Sequence, residues 1–150
     1  MGNEVIEGVI ITPLKIIDAH GGDVLHCMKS SDEGYNGFGE AYFSMVGHGA
    51  IKGWKRHSRM TLNLVVPVGE IRFVIFDDRA SSVSYSVFQE IIISKSNYCR
   101  LTVPPMVWMG FQGVCQQSSM LLNLANIPHE PEESERLNIA EFNFDWGLNT

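Results

Sequence analysis

The chain has 150 residues, of which 45% are hydrophobic, enough for one domain over residues 1–150 with a real core. Its formal net charge is −6 and its pI about 5.3, which argues against nucleic acid as a partner. The N-terminus lacks a basic leader followed by an apolar run, and no apolar stretch reaches bilayer length, so no membrane association is expected.

In chain order, the apolar stretch "VIEGVIITPLKII" comes first, suited to pairing with another subunit's sheet. The dominant hydrophobic period from there on is two. "FGEAYFSMV" reads as a strand. In "MTLNLVVPVG" the residues Leu62, Leu64, Val66 and Val68 share one face, and Pro67 predicts an edge position or a bulge. In "EIRFVIFDDR" Ile71, Phe73 and Ile75 share a face. "VSYSVFQEIII", "CRLTVPP", "VWMGF" and "SSMLLNLA" complete the series, and a last strand is expected near "IAEFNFDW". The polar segment "IPHEPEESERLN" reads as a loop or a short helical turn. Gly, Pro, Asn and Asp clusters separate these runs, as in "HGGD", "SDEGYNG" and "DDRASS". Many short strands without a convincing helix predict an all-β fold. A jelly roll closes their edges and leaves a cavity between its sheets. The cysteines Cys27, Cys99 and Cys115, odd in number and without CxxC spacing, fit reduced thiols in a cytoplasm.

One segment stands apart. "IKGWKRHSRM" holds Lys52, Lys55, Arg56 and Arg59, four of the chain's 11 Lys and Arg, together with His57. A local basic cluster on an acidic chain points to a small anionic ligand, against the plainer reading of a solvated turn. Strand alternation sends Ile51, Gly53, Lys55 and His57 one way, and Lys52, Trp54, Arg56 and Ser58 the other.

The stretches "GAIKGWKRH", "VPVGEIRFVIFDDR", "LTVPPMVWMGF" and "NIPHEPEESE", in that order, resemble the cupin sugar-nucleotide enzymes. These are typified by dTDP-4-dehydrorhamnose 3,5-epimerase and the dTDP-sugar 3,4-ketoisomerases. The resemblance implies an RmlC-like jelly roll (a double-stranded β-helix) forming a cytoplasmic homodimer. It implies an isomerase in polysaccharide or deoxysugar biosynthesis, acting on a nucleotide-diphosphate-linked 4-keto-6-deoxy sugar without a cofactor. The family's catalytic His falls on Lys55, its Lys on Leu62, its Tyr near Asn123, and a second Tyr near His129. His57 matches the second His of the ketoisomerase Gly-x-His-x-His. These departures leave a non-catalytic sugar-nucleotide-binding cupin, a sensor or partner subunit, as the alternative. Counted from Gly49 to Gly69, the ligand places of a metal cupin hold Lys55, His57 and Leu62, so no metal is expected.

Isomerising a 4-keto sugar needs a base beside the carbonyl, a donor to the enolate oxygen, and an acid to return the proton. His57 is the candidate base, Lys55 the donor, and Tyr42 the replacement for the absent family tyrosine. Lys52, at a place where the family carries a phosphate-binding Arg, and Arg56 are candidates for the diphosphate. Trp108 either stacks on the ligand or fills core. Asn123 interrupts an apolar strand and is expected to turn into the pocket, and His129 is a candidate to close over the ligand.

Overall fold

The computed structural model describes residues 4–147. Among the described residues twelve strands run in chain order: β1 (Ile10–Pro13), β2 (Ile16–Ile17), β3 (Val24–Leu25), β4 (Glu40–Val46), β5 (Ile51–His57), β6 (Leu62–Val68), β7 (Ile71–Phe76), β8 (Phe88–Ile93), β9 (Cys99–Val103), β10 (Trp108–Gly113), β11 (Ser119–Ala125) and β12 (Ser134–Arg136). They form two antiparallel five-stranded sheets, β1-β9-β6-β11-β4 and β12-β5-β10-β7-β8, and a small β2-β3 hairpin. Among the described residues no helix is long and apolar enough to cross a membrane.

The period-two pattern works because each sheet turns one face inward. Leu62, Leu64 and Val66 of β6 meet Phe73 and Ile75 of β7, with Leu101, Met109 and Leu121, in one buried cluster. Pro67 does not lie at an edge, since β6 is flanked by β9 and β11. It lies at a bulge: Val65 faces Leu122 and Val68 faces Met120, so β6 spends one residue more than β11. Val68 is therefore turned out of the face it was expected to share and is half exposed.

A second cluster covers the outer face of the β5-containing sheet. Trp54, Val74, Trp108 and Trp146 are buried there against Phe76, Phe88, Phe142 and Phe144. Trp54 meets Phe142 edge-on at 5.2 Å and Trp146 at 5.6 Å. The expected strand over "IAEFNFDW" does not form. It is a 3-10 turn at Ile139–Glu141, then an extended tail lying across the sheet rather than beside it. Its alternating aromatics have a face to bury but no ladder to join. Gly110 permits this approach, because a Cβ there would stand 3.2 Å from the Trp146 ring.

Two further expectations change. "VSYSVFQEIII" becomes a strand at Phe88, not Val83, because the buried Asp77 carboxylate gathers Ser82 Oγ and Ser84 Oγ into a turn. Ser86 there has φ 68°, and its N–H donates to the Asp77 carbonyl. In the polar segment, a 3-10 turn at Pro131–Glu133 leads into β12, a strand the hydrophobic period could not reveal. Within the chain, β1 pairs with β9.

Candidate functional site

A cavity of about 320 Å³ opens between the β4–β11 edge of one sheet and the β12–β5 edge of the other. Tyr42, Ser44 and Asn123 line the first wall, and Lys52, Lys55, His57 and Arg136 the second. Its apolar floor includes Met60, Leu62, Val103 and Met109.

Strand register explains each placement. Tyr42 faces Asn123 across the β4–β11 ladder, so both side chains turn inward. Asn123 Nδ2 reaches Ser44 Oγ at 3.4 Å. On the other wall Lys55 faces Met109, and Lys52 faces Phe111. Two residues, Gly53 and Trp54, stand against the single Gly110. This bulge changes the expected alternation. Lys52 joins the cavity lining, while Ile51 packs with the outer aromatic cluster. Lys52 Nζ donates to the Met45 carbonyl at 3.1 Å and lies 6.0 Å from the centre of the Phe111 ring.

His57 is buried and joined to Glu133, which is itself only 4% exposed. Nδ1 stands 2.6 Å from Glu133 Oε1. The other carboxylate oxygen accepts the backbone N–H groups of Arg59 and Met60, at 2.9 and 2.8 Å. With its Nδ1 proton donated to Glu133, the imidazole keeps the Nε2 lone pair free to take a proton. Burial lowers the His57 pKa, and the bond to Glu133 opposes that shift only in part, so the ring is held neutral. Burial would raise the Glu133 pKa, but the His57 bond and the two backbone donors outweigh it and hold the carboxylate ionised. Burial, then the Arg136 charge, lowers the pKa of Lys55. Burial, then Glu40, raises that of Tyr42, so its hydroxyl keeps its proton.

The structure thus gathers Tyr42, Lys52, Lys55, His57 and Asn123 around one cavity and leaves three expected residues outside its lining. Arg56 lies on the opposite face of β5, paired with Asp78 at 3.2 Å and Glu135 at 2.6 Å and stacked 4.6 Å from the Trp108 ring centre. Trp108 belongs to the outer cluster, its indole N–H donating to Asp78. His129 is exposed, and its backbone N–H donates to Glu40. Glu133 and Arg136 escaped sequence reasoning. Their one signal was a run of charge in "PEESER" ahead of an apolar tail. The described residues contain no group of three His, Cys, Asp or Glu placed to hold a metal ion.

No family model matches the chain. A dTDP sugar isomerase from Desulfovibrio desulfuricans G20 is 36% identical, with a TM-score of 0.92 over 97% of this chain and 94% of that one. A dTDP-6-deoxy-D-glucose-3,5-epimerase from Legionella pneumophila, in complex with dTDP-4-keto-L-rhamnose, shares the fold. Its TM-score is 0.82 at 19% identity, over 99% of this chain and 83% of that one. A probable low-salt glycan biosynthesis epimerase of Haloferax volcanii is 28% identical over 100 residues, 65% of this chain. The match spans 64% of the length of that curated relative. The likeness to the D. desulfuricans protein extends over almost the whole chain, and the chain belongs to the RmlC-like cupin family of sugar-nucleotide epimerases and isomerases.

Proposed function

We propose that the protein is an epimerase or ketoisomerase of a nucleotide-linked 4-keto-6-deoxy sugar. The observation that carries this is the His57–Glu133 pair at 2.6 Å, buried beside Lys55 in the cavity wall. His57 Nε2 takes the proton from the carbon next to the keto group. The C–H electron pair moves into the new C=C bond, and the carbonyl π pair onto oxygen. Lys55 stabilises that oxyanion, and Glu133 stabilises the imidazolium that forms. Return of a proton to the same carbon from the Tyr42 wall inverts it. Alternatively, the oxyanion takes a proton and the neighbouring hydroxyl loses one. The original carbonyl carbon then receives the proton from His57, and the keto group has moved by one position. Either course leaves atoms and electrons balanced without an added oxidant or reductant.

The test is incubation with dTDP- and UDP-4-keto-6-deoxy sugars in deuterated water, read by NMR. Deuterium at C3 or C5, or migration of the carbonyl, is expected. Ligand-dependent thermal stabilisation without either change is the behaviour of a binding protein and would end the catalytic reading.

The working unit in this reading is a homodimer. Phe43 and Met45 on edge strand β4 are 63% and 52% exposed, an apolar rim that a second subunit would cover. A monomer mass by light scattering at micromolar concentration would refute it. The three unpaired cysteines suit a reducing cytoplasm, which fractionation of the native cell would check.

A further inference from the structure

The proton chemistry leaves one carboxylate aside. Glu40 opens β4, two residues before Tyr42. The unbroken β4–β11 register turns Glu40, Tyr42 and Ser44 to the same inward face as the core residue Val46. Tyr42 and Ser44 line the cavity, so Glu40 stands one step further along that wall, at its rim, partly buried.

Backbone contacts fix it there. After β11 the chain crosses from one sheet to the other through residues 126–133 and enters β12. The far end of this crossing is tied to the strand of the base. Glu133 binds His57 and the Arg59 and Met60 N–H groups, and its carbonyl accepts the Ser58 N–H at 2.8 Å. The near end is tied to the start of β4. Gly39 N–H donates to the Ala125 carbonyl at 2.7 Å, and a Cβ on Gly39 would overlap the Ile127 backbone. Glu40 Oε1 then accepts the His129 N–H at 3.0 Å. One oxygen of Glu40 is thus committed to the segment that carries Glu133, while its charge stays beside the Tyr42 wall.

That charge reaches both proton donors. Burial raises the Tyr42 pKa, Glu40 adds to the rise, and Arg136 opposes it. Burial and then Arg136 lower the Lys55 pKa, and Glu133 and Glu40 oppose them. Lys52 and His57, the other titratable groups of β5 at the cavity, bring no negative charge there. A glutamine at position 40 would keep an oxygen for the His129 N–H and lose the electrostatic effect.

We propose that Glu40 is a positioning residue with two separable parts: its oxygen holds the crossing that presents Glu133 to His57, and its charge keeps Tyr42 and Lys55 as proton donors. The proposal rests on the isomerase reading given above. Glu40 does not touch the substrate in this role; it acts through residues that do.

The experiment compares Glu40→Gln, Glu40→Asp and Glu4→Gln with the native full chain. Glu4 is exposed and serves as a control for net charge. The readouts are the pH profile of kcat/KM, the melting temperature, and the ring-carbon NMR titration of Tyr42, assigned with Tyr42→Phe. Glu40→Gln is expected to melt like the native protein, but its Tyr42 should lose the proton at lower pH. The basic limb of kcat/KM should move toward acid, leaving activity on that limb roughly threefold to tenfold lower. The acid limb, which reports His57, should stay. Glu40→Asp keeps the charge and shortens the reach, so it should keep the basic limb and melt at lower temperature. Glu4→Gln should match the native protein throughout. An unmoved Tyr42 titration in Glu40→Gln overturns the proposal, and so does a native melting temperature in Glu40→Asp. The NMR titration needs no turnover. A displaced Tyr42 titration in a protein that exchanges no solvent proton with any keto sugar would leave the placement of Glu40 standing and remove the isomerase reading instead.

Discussion

The two faces of β5 carry similar residues to opposite ends. Outward, Arg56 is held by two carboxylates and an indole ring, and Trp54 lies beneath the C-terminal aromatics. Inward, Lys55 stands beside another cation, and His57 keeps one nitrogen free. On the outer face every charge is matched and the gain is stability. On the inner face charge is left unmatched, as a site for an anion and a mobile proton requires.

The sharpest way to break this contrast is at the base. His57→Asn should lower kcat by about 10³-fold, within the usual range for loss of a general base, while the melting temperature changes little. Glu133→Gln should also slow turnover, but must in addition cost stability, because Glu133 anchors the Arg59 and Met60 backbone. On the outer face the pattern should reverse. Trp54→Ala should cost about 3–5 kcal/mol in urea unfolding, with the KM of the folded enzyme little changed.

The pH dependence tests the inner face directly. Burial holds the His57 pKa below its usual value of 6.5, so kcat/KM should persist on acidification through that pH and fall only at the lower, folded pKa. Stability has the same sign. The unfolded chain binds the proton more readily, so the His57 contribution is present above 6.5 and is lost as pH falls through the folded value. Glu133→Gln should move the activity limb further toward acid, because Glu133 favours the imidazolium. An unmoved limb would mean that another group titrates there.

A smaller effect is expected at Arg56→Ala, about 1 kcal/mol of stability with unchanged KM, since its ion pairs are partly solvated and its ring contact modest. A raised KM would return Arg56 to the substrate site. The smallest concerns Met106, a non-glycine residue at φ 73° whose N–H donates to the His57 carbonyl at 2.7 Å. Met106→Gly removes the left-handed strain but loosens the unfolded chain, for a net gain of about 0.5 kcal/mol by thermal unfolding.

Most of the fold could be read from period two, because each sheet turns one face into the core between them and the jelly roll repeats that rule strand after strand. It failed where burial came without a ladder, in Phe142, Phe144 and Trp146, and where a ladder came without burial, in β12. The segment holding Lys55 and His57 was conspicuous because positive charge is sparse elsewhere. Glu133 could not be paired with His57, since 76 residues separate them and no local spacing marks the contact. Arg56 and Trp108 were placed toward the ligand by their chemical type, and alternation turned both outward. Lys52 had been placed outward, and the bulge turned it in.

That bulge has a consequence for how such cavities can diverge. The extra residue opposite Gly110 separates β5 into two halves, and only the second is registered by β12. Deleting one residue at Gly53 would turn Lys52 out and Ile51 in, while leaving Lys55, His57 and their β12 partners in place. A single-codon insertion or deletion could thus change an anionic preference at one end of the cavity without disturbing proton transfer at the other. Gene duplicates could then acquire new substrates by length change before any side chain is replaced.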